Sequence, residues 1–376
     1  MIKWYFMLGF VLAQFAAQGQ SAYRFSNFSI TDGLSQSSVT CILQDENHAL
    51  WIGTQDGLNR FDGKQFEVFS SDDSEGLKSE YIKCGIETDD GRLWFGTANG
   101  LSVFDLKTER FNHYTLPGNI ALQIEGICRD QEGLLWLATA GKGLISFNPQ
   151  TKKFKERGSI SSSRRIHGVY NALDGGLFIV TEDKGVFLTD ANKMSCKQLV
   201  LPANTQKNSV QSVVTTAKGQ TYFCTSQGVF EYISGSQKFT PAFAQLNTQW
   251  GEVSVTDLVQ TADGTTYIVT SGQGLYTLFS NGAIAKSAHD LLQKNALLFN
   301  DINVLFLDDS GTFWAGTKRG LSGFDPTTQG FLGIGPSADL TQGIPKPNVW
   351  SFGEDKNEKY IFVGTDRGIS RRNKRA

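Results

Sequence analysis

A short pattern of apolar and polar residues repeats along the chain. Its first copy is LWIGTQDGLNRFD, Leu50 to Asp62, and seven further copies follow. Each copy has an apolar run that ends at a threonine, a polar turn, and a glycine that starts the next apolar run. These glycines are Gly57, Gly100, Gly143, Gly185, Gly228, Gly274, Gly320 and Gly368. Their separations of 43, 43, 42, 43, 46, 46 and 48 residues indicate a repeat architecture that fills the chain.

Each repeat has room for four strands. In the first copy these are VTCILQD, LWIGT, GLNRFD and KQFEVFS. A left-handed turn residue is expected between the first and second strands, where His48 in the first copy is replaced by glycine in later ones. Those glycines are Gly91, Gly133, Gly175, Gly219, Gly264 and Gly311. Four short strands in about 43 residues predict the blades of an all-β propeller.

The second strand carries the predicted core. A blade cannot cover both of its faces, so its large apolar residues must pack between neighbouring blades. The residues at this position are Trp51, Trp94, Trp136, Phe178, Tyr222, Tyr267, Trp314 and Phe362. Glycine two places later, at Gly53, Gly96, Gly316 and Gly364, is expected where a neighbouring strand comes close. The threonine that follows is expected to bond to the turn backbone.

The number of blades has two solutions. The segment YRFSNFS near the N-terminus resembles a fourth strand, which would complete a late blade and close the ring. The segment GIPKPNVWSFGED, Gly343 to Asp355, resembles the start of the first repeat. We therefore favour a seven-bladed propeller over residues 20–342, with residues 343–376 as an eighth repeat that starts a second propeller. The alternative makes this repeat the last blade of a closed eight-bladed ring.

The N-terminus has the pattern of a signal peptide. Lys3 precedes an apolar run from Trp4 to Ala13, and small residues follow at Ala17 and Gly19. The run is shorter than the roughly 20 residues of a membrane-spanning helix. Residues 1–19 are therefore predicted to be a signal peptide, the mature protein to be periplasmic or secreted, and no membrane contact is expected beyond this segment.

Charge and cysteine content remove several functional classes. The chain has 35 basic and 37 acidic residues, so no strong field of one sign favours nucleic acid as a partner. Its five cysteines are odd in number and lack the spacing of metal ligands. We expect them to be small buried residues without disulfides, and we expect no metal and no cofactor.

The candidate ligand site is the mouth of the central channel. Each predicted innermost strand begins with an apolar residue flanked by polar ones, and regular alternation would put both flanking side chains on one face. The residues after the apolar position are Thr40, Lys83, Glu125, His167, Gln211, Thr256 and Asn303. Those before it are Ser38, Tyr81, Gln123, Arg165, Ser209, Ser254 and Asp301. Gln55 and Asp56 of the nearby turn, and the aromatic Trp250, extend the candidate site.

Such a ring carries hydroxyls, amides and charges of both signs. That mixture suits a polyhydroxylated ligand such as an oligosaccharide, and Trp250 could stack on a sugar. The alternative is that these side chains are simply solvated at a water-filled channel.

The repeats resemble a known family. The segment DGLSQSSVTCILQDENHALWIGTQDGLNRFDG and its copies are similar to the two-component regulator propeller repeat of extracytoplasmic sensor regions in Bacteroidetes-type hybrid two-component systems. The resemblance implies a ligand-sensing propeller whose partner is a separate sensor kinase or a second copy of the chain. The family usually adds a second propeller, a β-sandwich, a membrane helix and a kinase, and this sequence shows no sandwich or kinase motif.

Two other functions compete with sensing. An exported propeller enzyme, a lyase or glycosidase, could use Glu125 and His167 of adjacent blades as acid and base. A purely structural interaction scaffold is the other alternative. We favour a protein that is not an enzyme, because the four histidines form no metal-binding pair and no nucleophile elbow is present.

Overall fold

The structure is a computed structural model. It describes residues 23–71, 76–116, 120–157, 163–202, 210–246, 251–327, 349–355, 360–365 and 368–373. The chain forms two compact units, Met1–Pro326 and Thr327–Ala376. The predicted signal peptide, Ser209 and Trp250 lie outside the described residues.

The first unit contains seven four-stranded antiparallel sheets, the blades of a propeller. Blade 1 consists of β2 (Val39–Gln44), β3 (Leu50–Thr54), β4 (Leu58–Phe61) and β5 (Phe66–Phe69). Blade 2 consists of β6 (Ile82–Thr88), β7 (Arg92–Thr97), β8 (Gly100–Asp105) and β9 (Arg110–Tyr114). Blade 3 consists of β10 (Ile124–Arg129), β11 (Leu135–Thr139), β12 (Gly143–Asn148) and β13 (Lys153–Glu156). The all-β fold class predicted from the sequence is confirmed.

The remaining blades repeat this order. Blade 4 consists of β14 (Ile166–Asn171), β15 (Leu177–Thr181), β16 (Gly185–Thr189) and β17 (Cys196–Gln198). Blade 5 consists of β18 (Val210–Thr215), β19 (Thr221–Thr225), β20 (Gly228–Ile233) and β21 (Lys238–Ala242). Blade 6 consists of β22 (Val255–Gln260), β23 (Thr266–Thr270), β24 (Leu275–Leu278) and β25 (Ile284–Ser287). Blade 7 consists of β26 (Ile302–Leu307), β27 (Phe313–Thr317), β28 (Gly320–Phe324) and the N-terminal strand β1 (Ser26–Phe28).

The ring closes through this N-terminal strand. β1 pairs with β28 in the register Ser26 to Gly323 and Phe28 to Leu321. Asn27 accepts a hydrogen bond from Ser322 Oγ at 2.6 Å, and β2 of blade 1 contacts β26 and β27 of blade 7. The strand therefore completes the seventh blade. The eight-bladed alternative is wrong, because β1 completes blade 7 and blade 7 packs directly against blade 1.

The second unit is a three-stranded sheet of β29 (Val349–Glu354), β30 (Tyr360–Thr365) and β31 (Gly368–Asn373). Its strands correspond to the first three strands of a blade. Phe352 and Ile369 are each at least three-quarters exposed, whereas their counterparts in blade 1, Ile42 and Leu58, are buried. The fold is thus a seven-bladed propeller with a remnant of an eighth repeat.

The predicted packing positions form the core between blades. Trp51 is fully buried, and the equivalent side chains of blades 2 to 6 are at most 4% exposed. A Cβ atom added at Gly53 would lie 2.6 Å from Cys41 Sγ and 2.7 Å from Ile82 of the next blade. Glycine at this position therefore permits the close approach that the sequence predicted.

The threonine at the end of each second strand closes the following turn. In all seven blades its hydroxyl donates to the carbonyl of the glycine that starts the third strand, over 2.6 to 3.0 Å. Those glycines all have positive φ. His48 also has a left-handed backbone, with φ of 65°, as expected for the residue that replaces glycine in the first repeat.

An aspartate, buried in blades 1 and 3 and half-buried in blade 7, supports the core tryptophan in three blades. Asp45 Oδ2 accepts a 2.7 Å hydrogen bond from the indole N–H of Trp51, while its Oδ1 accepts from the backbone N–H groups of Asn47 and Ala49. Asp130 and Asp308 make the same set of bonds. Blades 4, 5 and 6 have Phe or Tyr instead of Trp, and Ala or Thr instead of Asp. The sequence analysis overlooked this Asp and Trp pairing six residues apart.

We expect Asp45→Ala to lower the free energy of unfolding by about 2–4 kcal/mol, because it leaves the indole and two backbone N–H groups without their acceptor. Urea unfolding of the mature chain measures this loss. Trp51→Phe removes the indole donor, so a double-mutant cycle of the two changes should show a coupling of at least about 0.5 kcal/mol. Strictly additive effects would contradict this role of Asp45.

Candidate functional site: the mouth of the channel

Every innermost strand begins with a β-bulge. In blade 1, Val39 is paired with Thr54 and Cys41 with Gly53, so Thr40 is the extra residue. The same register shift occurs in the other six blades. The bulge residues are Thr40, Lys83, Glu125, His167, Gln211, Thr256 and Asn303, here called the mouth ring. The alternation assumed from sequence does not hold at this point, since a bulge inserts one residue and redirects its side chain.

Three members of the mouth ring join neighbouring blades. Thr40 Oγ1 donates to the carbonyl of Ile82 over 2.6 Å. Asn303 Nδ2 donates to the carbonyl of Val39 over 2.7 Å, and Thr256 Oγ1 makes the same bond to blade 7. The sequence selected these residues as ligand contacts, and the structure assigns them hydrogen bonds that hold the ring together.

Lys83 and Glu125 form an ion pair between blades 2 and 3. Lys83 Nζ lies 2.9 Å from both carboxylate oxygens, and the two side chains are only 13% and 17% exposed. Lys83 also lies over the ring of Tyr81, 4.7 Å from its centroid. Gln123 donates to the same carboxylate. Among the described residues Glu125 has no hydrogen bond to His167, so the structure does not form the acid and base pair considered from sequence.

Two of the outer candidates bond to residues in the turns that follow the second strands. Arg165 pairs with Glu182 over 2.7 Å, and Asp301 accepts a 2.8 Å hydrogen bond from Ser271. Gln55 and Asp56 are exposed. A hydrogen bond shared with the nearby carboxyl of Glu80 raises the pKa of Asp56.

His167 and Gln211 are the open members of the mouth ring. Both are exposed, and neither makes a hydrogen bond or ion pair to another described residue. They lie at the start of β14 and β18, on adjacent blades 4 and 5. These two strands are also the least closely packed pair of neighbouring innermost strands. The side chains available to a ligand are therefore concentrated on one side of the mouth.

Asp257 is a titratable residue that the sequence analysis did not select. It follows the bulge of blade 6, and burial raises its pKa to about 6. Its Oδ1 accepts from the N–H of Leu258 at 2.9 Å and from Ser212 Oγ at 3.4 Å, and its Oδ2 accepts from the N–H of Leu305 at 3.1 Å. No described lysine, arginine or histidine forms an ion pair with it. The sequence feature that could have identified Asp257 is its position directly after Thr256, a member of the mouth ring.

Cys41, Cys128 and Cys224 are buried as expected, whereas Cys84 and Cys196 are partly exposed. All five are free thiols, and burial raises the pKa of Cys41 to about 12. In the part of the chain that the structure describes, no group of three or more His, Cys, Asp and Glu side chains could hold a metal ion. Within the same residues no helix has the length and apolar character needed to cross a membrane.

Asp257 predicts a specific dependence of stability on pH. Its pKa in the folded chain, about 6, lies above the ordinary value of 3.8, so the folded state binds this proton more tightly. The stability that this tighter proton binding gives the folded state is therefore lost as pH rises from about 4 to about 6. We expect Asp257→Asn to remove this trend, so the variant should gain up to about 3 kcal/mol relative to the parent between pH 4 and pH 8. Urea unfolding across this range measures the difference, and a constant difference would contradict it.

Comparison with known proteins identifies the repeat. Residues 33–56 match the model of the two component regulator propeller. A 63-residue part of the chain is 46% identical to a protein named histidine kinase P4 from Formosa agariphila. That match covers 17% of this chain and only 4% of the relative.

Solved structures share the fold. The extracellular domain of a protein described as a hybrid two component system from B. thetaiotaomicron matches with a TM-score of 0.73 and 21% identity, over 94% of this chain. The chain spans 48% of that domain. Virginiamycin B lyase from Staphylococcus aureus matches with a TM-score of 0.62 and 14% identity, over 80% of this chain and 98% of the lyase. The chain thus contains the two component regulator propeller repeat, within a seven-bladed propeller similar in fold to extracellular domains of B. thetaiotaomicron two component systems.

Proposed function

We propose that this chain is an extracytoplasmic ligand-sensing propeller of a two-component signalling system, and that it binds an oligosaccharide at the mouth of its channel. The main support is the regulator propeller repeat at residues 33–56, in a fold similar to an extracellular domain of such a system. Its proposed partner is a sensor kinase, and the proposed location after signal-peptide cleavage is the periplasm or the cell exterior.

The distribution of bonds in the mouth ring supports a binding role on one side. Thr40, Thr256 and Asn303 bond to adjacent blades, and Lys83 and Glu125 neutralise each other. An imidazole and an amide are left open on blades 4 and 5. Both groups can donate and accept hydrogen bonds, which suits hydroxyl groups better than a highly charged ligand.

The arrangement gives less support to an enzyme. General acid and base catalysis needs two groups that reach the same substrate atoms with suitable proton affinities. Glu125 is held by Lys83 and Gln123 on its own side of the mouth. The similarity to a lyase concerns the fold, at 14% identity, and provides no catalytic residue. We therefore propose binding without turnover.

A glycan array followed by calorimetry tests this function. We expect an oligosaccharide to bind the mature chain, and His167→Ala and Gln211→Ala each to weaken binding about fivefold or more, the effect of losing roughly 1 kcal/mol of hydrogen bonding. Lys153→Ala, an exposed change on the outer strand of blade 3, serves as the control. Absence of binding to the unchanged protein would refute the carbohydrate proposal, and release of a cleaved product would favour the enzyme.

A further inference from the structure

A group of polar side chains lies directly below the open side of the mouth ring. The next residue of each innermost strand forms a second ring, whose members are Cys41, Cys84, Gly126, Gly168, Ser212, Asp257 and Val304. On blades 7, 1 and 2 these residues are valine and cysteine. On blades 5 and 6 they are serine and aspartate, so the polar part of the second ring begins at blade 5, which carries the open Gln211, and continues to blade 6.

Tyr170 adds a hydroxyl group to this side. Its ring lies against Gly168, where an added Cβ would be 2.8 Å from the phenol oxygen. The side chain packs against the apolar cluster between blades 4 and 5, at the loosest contact between innermost strands. Burial raises the pKa of Tyr170, with a smaller contribution from the charge of Asp257. The phenol hydroxyl has no hydrogen-bond partner among the described residues.

The bulge itself does not require a carboxylate at Asp257. The same bulge forms in the other six blades with cysteine, glycine, serine or valine at this position. An ionised carboxylate without a cation is costly inside a protein. A neutral side chain would satisfy the local structure at lower cost, so the carboxylate requires an explanation outside the bulge.

Tyr170, Ser212 and Asp257 lie on the innermost strands of blades 4, 5 and 6 and are here called the polar arc. We propose that the polar arc forms a binding subsite for one hydroxyl-bearing sugar unit. This inference rests on the proposed function and specifies where the oligosaccharide inserts. His167 and Gln211 flank the entrance. Asp257 accepts hydrogen bonds from sugar hydroxyls, and the Tyr170 hydroxyl donates a hydrogen bond to a sugar oxygen.

The surroundings of Asp257 favour a hydroxyl ligand over a metal ion. Its oxygens already face three hydrogen-bond donors, the N–H groups of Leu258 and Leu305 and the hydroxyl of Ser212. Donors around a carboxylate oppose the approach of a cation but leave lone pairs for further neutral donors. Hydrogen bonds to an ionised acceptor are also among the stronger ones, so this carboxylate can contribute to affinity for a neutral saccharide.

Calorimetry with neutral di- to tetrasaccharides of glucose, xylose and mannose at pH 8 tests the subsite. Asp257→Asn removes the charge and keeps an acceptor oxygen for one of the two backbone N–H donors, and Tyr170→Phe removes only the hydroxyl. We expect each change to weaken binding of the best saccharide at least tenfold. Tyr232→Phe is the matched control, because it removes a phenol hydroxyl from the same interface between blades 4 and 5, and it should leave affinity within twofold.

The outcomes separate the subsite from the function on which it rests. If a saccharide binds and only the two polar-arc variants lose affinity relative to Tyr232→Phe, the inference is supported. If a saccharide binds with equal affinity to Asp257→Asn and Tyr170→Phe, the polar arc is overturned while the sensing function stands. If none of the saccharides binds the parent protein, the proposed carbohydrate function fails and the inference fails with it.

Discussion

A four-stranded blade has two apolar faces, and it can bury both only when a neighbour stands on each side. This constraint explains the main features of the propeller. Trp51 and its equivalents fill the spaces between blades, and Gly53 lets the next blade approach to contact distance. The first and last blades face the same requirement, which a closed ring satisfies. The N-terminal strand β1 secures that closure by completing blade 7.

The candidate site originates from the same constraint. Seven innermost strands converge on the channel, and each begins with a bulge that turns one residue away from the packed faces. Much of this ring serves cohesion, as the hydrogen bonds of Thr40 and Asn303 to the next blade show. Cohesion is weakest between β14 and β18, and there the ring residues have no partners within the described chain. The side chains available to a ligand thus lie on blades 4 and 5, whose innermost strands pack least closely against each other.

Asp257 illustrates how repetition exposes unusual residues. Six equivalents show which side chains the bulge tolerates, so the seventh can be judged against them without any other protein. The Asp45 and Trp51 pair, in contrast, has a structural explanation. An aspartate bonds the indole in three of the four blades that have one, and Trp94 of blade 2 donates to Thr88 instead. Blades 4, 5 and 6 have neither the indole nor the aspartate, so this aspartate is explained by local structure. One carboxylate therefore belongs to the scaffold, while the other is a candidate for function.

The sequence by itself determined the repeat, the four strands of each blade, the buried aromatic position, and the turns closed by threonine and glycine. These features depend on contacts within about 50 residues, and each is repeated seven or eight times. The tertiary structure decided the rest. The sequence indicated a closing N-terminal strand but left two blade counts open, because a strand pattern does not specify its distant partner. The pairing of β1 with β28 decided between them. Lys83, Glu125 and Asp257 likewise find partners on adjacent blades. Which side chains remain available to a ligand therefore depends on contacts between blades, and a single repeat does not specify these contacts.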